Sequence, residues 1–500
     1  MFILLVFLLA IDPRYHTAAE VAAELDSIAQ HHPDITLLDT IGYSTQDSLL
    51  ILAMKISDNA GEDEDEPEVL YVACHHAEEL LGVEICMYMI NDLIENYNID
   101  SLHTYWVNNR EIWIVPLLNP EGHTVVMRGI DTTWRKNKHD NNHNGIFDLD
   151  YDGVDPNRNY DFHWAEGGNN NPASEYYRGE KPFSEKENQA LKALCEAHSF
   201  VFCNTYHSAR TGLGEVVYFP WVWSGGYSPD FPVIRSVADS MSKLIINDAG
   251  NGHYTALPGE GLDGKARNWL YAVCGTFTFC VEVSTTTIQP GWMVDDICQR
   301  NLVGAYYLLE RMNYAAVTGI TYDAETGEPL SAEVIIDGYY DPDLPPRRSD
   351  SCHGRFLRIL SPGSYNITIK KPGYEPEYLQ GVEVTSDKTT ELDIPLKKIE
   401  NSFHLNNDND TIIIYPNPTR NRPLTIRIKD PVLFQSLRIY DVCGRVLKNF
   451  NQPINTSLCW TGDDDLNRQA GSGIYYIVGE YSDTEESSVR RAVGKIILLD

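Results

Sequence analysis

Two histidines and two glutamates directly follow an apolar run in "VLYVACHHAEELLGVEICMYMINDLIENY" (Val69–Tyr97). The run "VLYVAC" predicts a buried strand ending at Cys74. An apolar face of Leu80, Leu81, Ile85, Met89 and Ile90 predicts a helix from about Glu78. His76 then falls in the strand-to-helix turn and Glu79 in the first helical turn. Three-residue spacing lets an imidazole and a carboxylate converge on one point, as a zinc ion requires. The pair suits equally an acid-capped helix beside solvated histidines, so a third ligand has to decide. "VFCNTYHSAR" offers His207 at the C-terminal end of an apolar strand, where α/β sheets gather their site residues, although a lone histidine there also serves structure.

Two further stretches carry chemistry. "GVDPNRNYDFHW" holds Asp155, Asn157 and Arg158; an Asn-Arg pair can grip a carboxylate through several charge-assisted donors, and Asp155 can orient a metal-bound histidine from behind. "GTFTFCVEVSTT" places Glu282 in an apolar strand, where an unpaired carboxylate is expensive. It is either half of a buried ion pair or a general base with a raised pKa.

The elements around these residues predict an α/β domain. Between Tyr15 and Met312, "TAAEVAAELDSIAQHH" and "NLVGAYYLLERM" have helical spacing, whereas "LLILAMKIS", "EIWIVPLL" and "FVFCNTYH" are short apolar strands of a covered sheet. After Asn313 the pattern alternates apolar and polar residues between Gly/Pro turns, which predicts small antiparallel sandwiches. Hydrophobic residues make up 43% and charged residues 22% of the 500, as in ordinary globular chains. A formal net charge of −33 with no basic patch excludes nucleic acid as a partner. The 10 cysteines form no CxxC pair, which argues against a thiolate metal site, and their spacing defines no disulfide framework.

Taken together and in order, "HxxE" at His76–Glu79, "TWRKN" at Thr133–Asn137, "DPNRNYDF" at Asp155–Phe162, "YHS" at Tyr206–Ser208 and "FCVEV" at Phe279–Val283 resemble the zinc metallocarboxypeptidases. The likeness implies a mixed-sheet α/β domain over residues 13–313 holding one Zn²⁺ on His76, Glu79 and His207. It also implies a zinc-activated water with Glu282 as general base, Arg135 stabilising the oxyanion, and Asn157 and Arg158 holding the C-terminal carboxylate of a peptide or protein. Tyr254 is expected to close over that carboxylate, with Tyr271 as its rival. In this family the base of the specificity pocket precedes an Asp-Trp-like pair. Asn268-Trp269 match that pair and put Arg267 at the pocket base, unless the long loop turns it to solvent or to Asp263. A separate run, "DNNHNGIFDLDYDGVD", places Asp140, Asn142, Asn144 and Asp148 as in the first half of a calcium loop, with Tyr151 where a bidentate Glu belongs.

The remaining parts carry resemblances of their own. Residues 314–398 are similar to the transthyretin-like regulatory sandwich that follows some carboxypeptidase domains, on "GEPLSAEVIIDG", "GRFLRILSPGSYNITIKKPGY" and "ELDIPL". Residues 399–409 read as a linker. Residues 410–500 are similar to the C-terminal sorting sandwich of type IX secretion, on "YPNP" (Tyr415–Pro418), "LRIYDVCGRVL" and "SGIYYI", and residues 1–12 read as a truncated signal segment. That likeness implies the type IX machinery as a partner and a secreted or cell-surface bacterial enzyme. Two alternatives share the same motifs: a zinc peptidase of cell-wall peptides, and an inactive module that binds peptide ends.

Overall fold

The structure is a computed structural model that describes residues 11–209, 214–224, 226–341, 344–399, 412–415, 423–428, 434–450, 457–466, 468–482 and 489–498. The apolar start at 1–10, nearly all of the linker and residues 416–418 of "YPNP" lie outside these. The chain forms two compact units, Met1–Lys398 and Ile399–Asp500.

The first unit is built on a nine-stranded mixed sheet. Its strands are β1 (Thr36–Tyr43), β2 (Leu50–Ile56), β3 (Glu68–Ala73), β4 (Glu111–Val115), β5 (Phe202–Ser208), β6 (Val216–Trp223), β7 (Gly226–Tyr227), β8 (Thr255–Glu260) and β9 (Phe277–Val283). They run in the order β1-β2-β4-β3-β5-β9-β6-β7, with β8 paired to β6. The central β4, β3, β5 and β9 are parallel. Every residue of β3, β4 and β5 is buried, which is what their unbroken apolar runs require of strands covered on both faces.

One face packs on α1 (Ala18–His31), α2 (Leu81–Asn96), α3 (Ser101–Val107), α4 (Pro120–Met127), α6 (Phe231–Leu244) and α8 (Val294–Arg311). The other packs on α5 (Lys186–Ala197) and the short α7 (Ala266–Trp269), which runs into a π-helical turn at Leu270–Cys274. Helix α1 starts at a capping box: the Glu20 amide donates to Thr17 Oγ1 while the Thr17 amide donates to the Glu20 carboxylate. Helix α2 begins at Leu81, not at Glu78 as the apolar spacing suggests. The Glu79 and Leu80 amides donate instead to the His76 and Glu78 carbonyls, a local turn that keeps Glu79 facing His76.

Beyond α8 the chain alternates as expected. Strands β10 (Ala316–Asp323), β12 (Arg355–Ile359) and β15 (Thr389–Leu396) form one sheet. Strands β11 (Glu333–Ile336), β13 (Gly363–Lys370) and β14 (Glu377–Val384) form another, and Val317, Val334, Ile336, Phe356, Ile367 and Ile394 fill one core between them. This β unit is joined tightly to the α/β part. Arg358 pairs with buried Asp230 at 3.1 Å, and the Tyr271 hydroxyl donates to the same carboxylate at 2.7 Å. Arg347 stands 4.9 Å over the Tyr271 ring and donates to the Ala272 carbonyl. The second compact unit holds a three-stranded and a four-stranded sheet over a core that includes Leu424, Ile439, Trp460 and Ile477. All ten cysteines are free, and no helix among the described residues is long and apolar enough to cross a membrane.

Removing one partner of a buried ion pair leaves the other uncompensated. Arg358→Ala is therefore expected to destabilise the first unit by about 3 kcal/mol in chemical denaturation. A loss below about 0.5 kcal/mol, the scale of a surface change, would show that Asp230 does not depend on the pair.

Candidate metal and substrate site

The site forms where the parallel strands end. After β3 the backbone turns through a left-handed Cys74 (φ 58°), which delivers His75 and His76 to the C-terminal edge of the sheet. The Ala77 amide donates to the Arg135 carbonyl, joining the "HxxE" turn to the "TWRKN" segment. Asn119 fastens both: its Nδ2 donates to the His75 and Lys136 carbonyls, and its Oδ1 accepts the Gly122 amide that opens α4. Any Cβ at Gly122 would strike the Lys136 carbonyl and the Asn119 side chain, so the glycine is required by close approach.

His76, Glu79 and His207 converge here. His76 Nδ1 lies 2.8 Å from Glu79 Oε1, His207 Nδ1 lies 2.7 Å from Glu79 Oε2, and the two Nδ1 atoms are 3.1 Å apart. All three side chains are buried. Two imidazole nitrogens and a carboxylate point at one another, with one ligand atom from each residue within 4.8 Å of the others, and this buried N, N, O donor set fits zinc. Behind it, Asp155 Oδ1 stands 3.2 Å from His76 Nε2 at an angle that makes no hydrogen bond, while Asp155 Oδ2 accepts Arg135 Nε at 3.0 Å. Burial alone would raise the Asp155 pKa, but the fields of Arg135, His76 and Arg158 hold it well below the usual carboxylate range.

Opposite the cluster, Glu282 pairs in parallel register with His207 across β9 and β5. Burial of its carboxyl, and then the nearby charge of Glu79, push its pKa up to about 8. Asn157 Nδ2 is 3.4 Å from His207 Nε2, and Arg158 Nη1 donates to the Asn157 carbonyl. These groups line a cleft of about 710 Å³ together with Arg135, Tyr176, Tyr218, Lys265 and Arg267.

The structure corrects one site residue. Tyr254 is 3% exposed and lies in the core, where its hydroxyl accepts the Ser284 amide at 3.0 Å; it does not reach the cleft. Its rival Tyr271 is committed to Asp230. The aromatic rings on the cleft are Tyr176 and Tyr218, which sequence reasoning missed. Tyr176 lies under both Arg135 (5.3 Å) and Arg158 (5.5 Å). In the "DNNHNG" run the oxygens are turned inward to backbone amides. Asp140 accepts from Asn144 and Gly145, Asn142 from Asn144, Asn144 from Ile146, and Asp148 from Asp150. Among the described residues the run brings together no three His, Cys, Asp or Glu ligands. Two other clusters exist among the described residues. In the group of Glu68, Glu111 and His198, Glu111 is already paired with Lys55 Nζ at 2.7 Å and Glu68 with His198; Asp58, Glu64 and Glu66 form a half-buried acidic turn.

The model of the zinc carboxypeptidases matches residues 21–302, more than half of the chain. This chain belongs to that family. The enzyme is a zinc metallocarboxypeptidase, a hydrolase of its class. A zinc carboxypeptidase of Simulium vittatum is 32% identical over 52% of this chain and 81% of its own length, and carboxypeptidase B of Astacus astacus is 27% identical over 52% and 79%. A zinc carboxypeptidase of Saccharothrix mutabilis subsp. capreolus is 36% identical, but the match spans only 30% of this chain and 33% of that relative. In fold, the metallocarboxypeptidase part superposes on thrombin-activatable fibrinolysis inhibitor with a TM-score of 0.53 at 22% identity, covering 60% of this chain and 76% of the other. A model of the PEGA domain matches residues 357–400, within and just beyond the first β unit.

Proposed function

We propose that the enzyme removes single residues from the C-termini of peptides and proteins. The observation that carries this reading is the convergence of His76, Glu79 and His207 beside Asn157 and Arg158 in one cleft. A zinc ion held by those three side chains supplies Lewis-acid chemistry, polarising a carbonyl and acidifying water. The protein's own groups do the rest. Asn157 and Arg158 grip the terminal carboxylate, which sets the register from the chain end and restricts cleavage to the last peptide bond. Arg135, held by Asp155, faces the negative charge that grows on the carbonyl oxygen. Glu282 takes a proton from the attacking water and passes it to the leaving nitrogen as the C–N bond breaks; its raised pKa suits both transfers. Tyr176 offers its ring to both guanidinium groups.

The β unit before Lys398 is read as a transthyretin-like regulatory sandwich and the unit after it as a type IX sorting sandwich, which makes the enzyme an exported one. "LRIYDVCGRVL" and "SGIYYI" support the second; the first covers most of β18 (Phe434–Asp441) and the start of β19 (Val446–Phe450), and the second lies in β21 (Gly473–Ser482) of the same sheet, while β16 (Ile412–Tyr415), β17 (Leu424–Ile428) and β20 (Ser457–Trp460) form the other.

Three outcomes are expected. His207→Ala loses both zinc content by metal analysis and hydrolysis of a peptide library followed by mass spectrometry; normal zinc content would remove His207 from the ligand set. Glu282→Gln keeps its zinc but turns over about 10²–10⁴-fold more slowly, and normal turnover would move the base elsewhere. Deletion of everything after about Asn406 leaves a folded, active enzyme that no longer reaches the cell surface; unchanged surface display would end the sorting role.

A further inference from the structure

Among the described residues four cations line the cleft, and three are accounted for. Arg135 is paired with Asp155, Lys265 Nζ lies 2.9 Å from Asp263, and Arg158 donates to the Asn157 carbonyl while stacked on Tyr176. Arg267 is different. It is only 6% exposed, it lines the cleft, and its Nε is buried with no acceptor. Among the described residues no carboxylate lies within ion-pair distance of it and none accepts a hydrogen bond from it. Asp263, the acid nearest in sequence, is occupied by Lys265. Of the three carboxylates on the cleft wall among the described residues, Glu79 belongs to the metal cluster, Glu260 is exposed and Glu282 is assigned to proton transfer.

The guanidinium is nonetheless firmly placed. It lies against Gly259, where any Cβ would collide with it, and its centre is 5.9 Å over the Tyr218 ring. The residue before it, Ala266, donates its amide to Asn157 Oδ1 at 3.0 Å. Arg267 therefore sits one residue behind the side chain that grips the substrate's terminal carboxylate, where the last side chain of a bound peptide has to go. Val222, Leu257 and Pro258 form the apolar part of the wall. A buried unpaired cation is costly, and a ligand that brings its own carboxylate offsets that cost. Burial lowers the Lys265 pKa, and repulsion from Arg158 and Arg267 lowers it further, in keeping with the excess of positive charge.

We propose that this pocket selects peptides ending in glutamate or aspartate, with Arg267 pairing to the side-chain carboxylate. The inference rests on the carboxypeptidase reading above and adds the class of its substrate. The test compares kcat/KM of the zinc-loaded full chain on three peptides identical except for a last residue of Glu, Leu or Lys. The Glu peptide is expected to lead Leu by at least tenfold, with Lys slowest. In Arg267→Met, which keeps the length of the side chain, that ratio should fall at least tenfold while the Leu peptide is still cleaved, which also shows that fold and metal site survive. Arg267→Lys should restore part of the preference. Leu cleaved as well as Glu by the unaltered enzyme, or a ratio unmoved in Arg267→Met, overturns the proposal. Failure on all three peptides overturns the broader reading and this one with it, and is distinguished by the absence of any hydrolysis.

Discussion

A carboxylate sealed away from water has to be surrounded by donors, and Asp155 is such a carboxylate. Its Oδ2 accepts Arg135, its Oδ1 accepts the Asn157 amide and faces His76, and its own amide donates to Tyr177. One residue thus sets the positions of the His76 imidazole, the Arg135 guanidinium and the Asn157 backbone. These three come from separate segments of the chain, and without a common anion their positive and polar groups would have no reason to meet. The depth of the site follows, because a solvated aspartate would bind the same partners far less tightly.

Much of this was legible from residue types. Unbroken apolar runs located the central parallel strands, since a strand covered on both faces cannot hide its pattern. His76, Glu79, His207, Asn157, Arg158 and Glu282 could be singled out because polar side chains at the ends of such strands are expensive to place without a task. Asn119 and Tyr176 were not visible. An asparagine that ties three backbone segments together looks like any helix cap, and a tyrosine in the polar loop "NNNPASEYYRG" shows nothing of the two arginines that will lie over its ring.

The misplaced residues share a physical cause. Tyr254 precedes a strand in a segment longer than expected, and nothing in its type distinguishes a hydroxyl that caps a buried turn at Ser284 from one that faces a cleft. The late start of α2 has the same origin: local spacing favours helix from Glu78, but the demand that Glu79 point at His76 wins for one turn. In the "DNNHNG" run the spacing was right for a cation, yet the short side chains bond to their own backbone. Long-range geometry overrides local preference most strongly at sites of this kind.

The joint between the α/β part and the β unit has one more consequence. Arg347 and Arg358 do not merely glue two surfaces; they hold Tyr271, Asp230 and the π-helical turn that continues directly from Arg267 and Asn268. The short helix carrying Arg267 is thus anchored at one end by Asn157 inside the cleft and at the other by a segment that does not line it. Sequence boundaries suggest two interchangeable cassettes, but they are not separable parts. A chimera that exchanged the β unit while discarding those two arginines would keep the cluster of His76, Glu79 and His207 and lose the support behind Arg267.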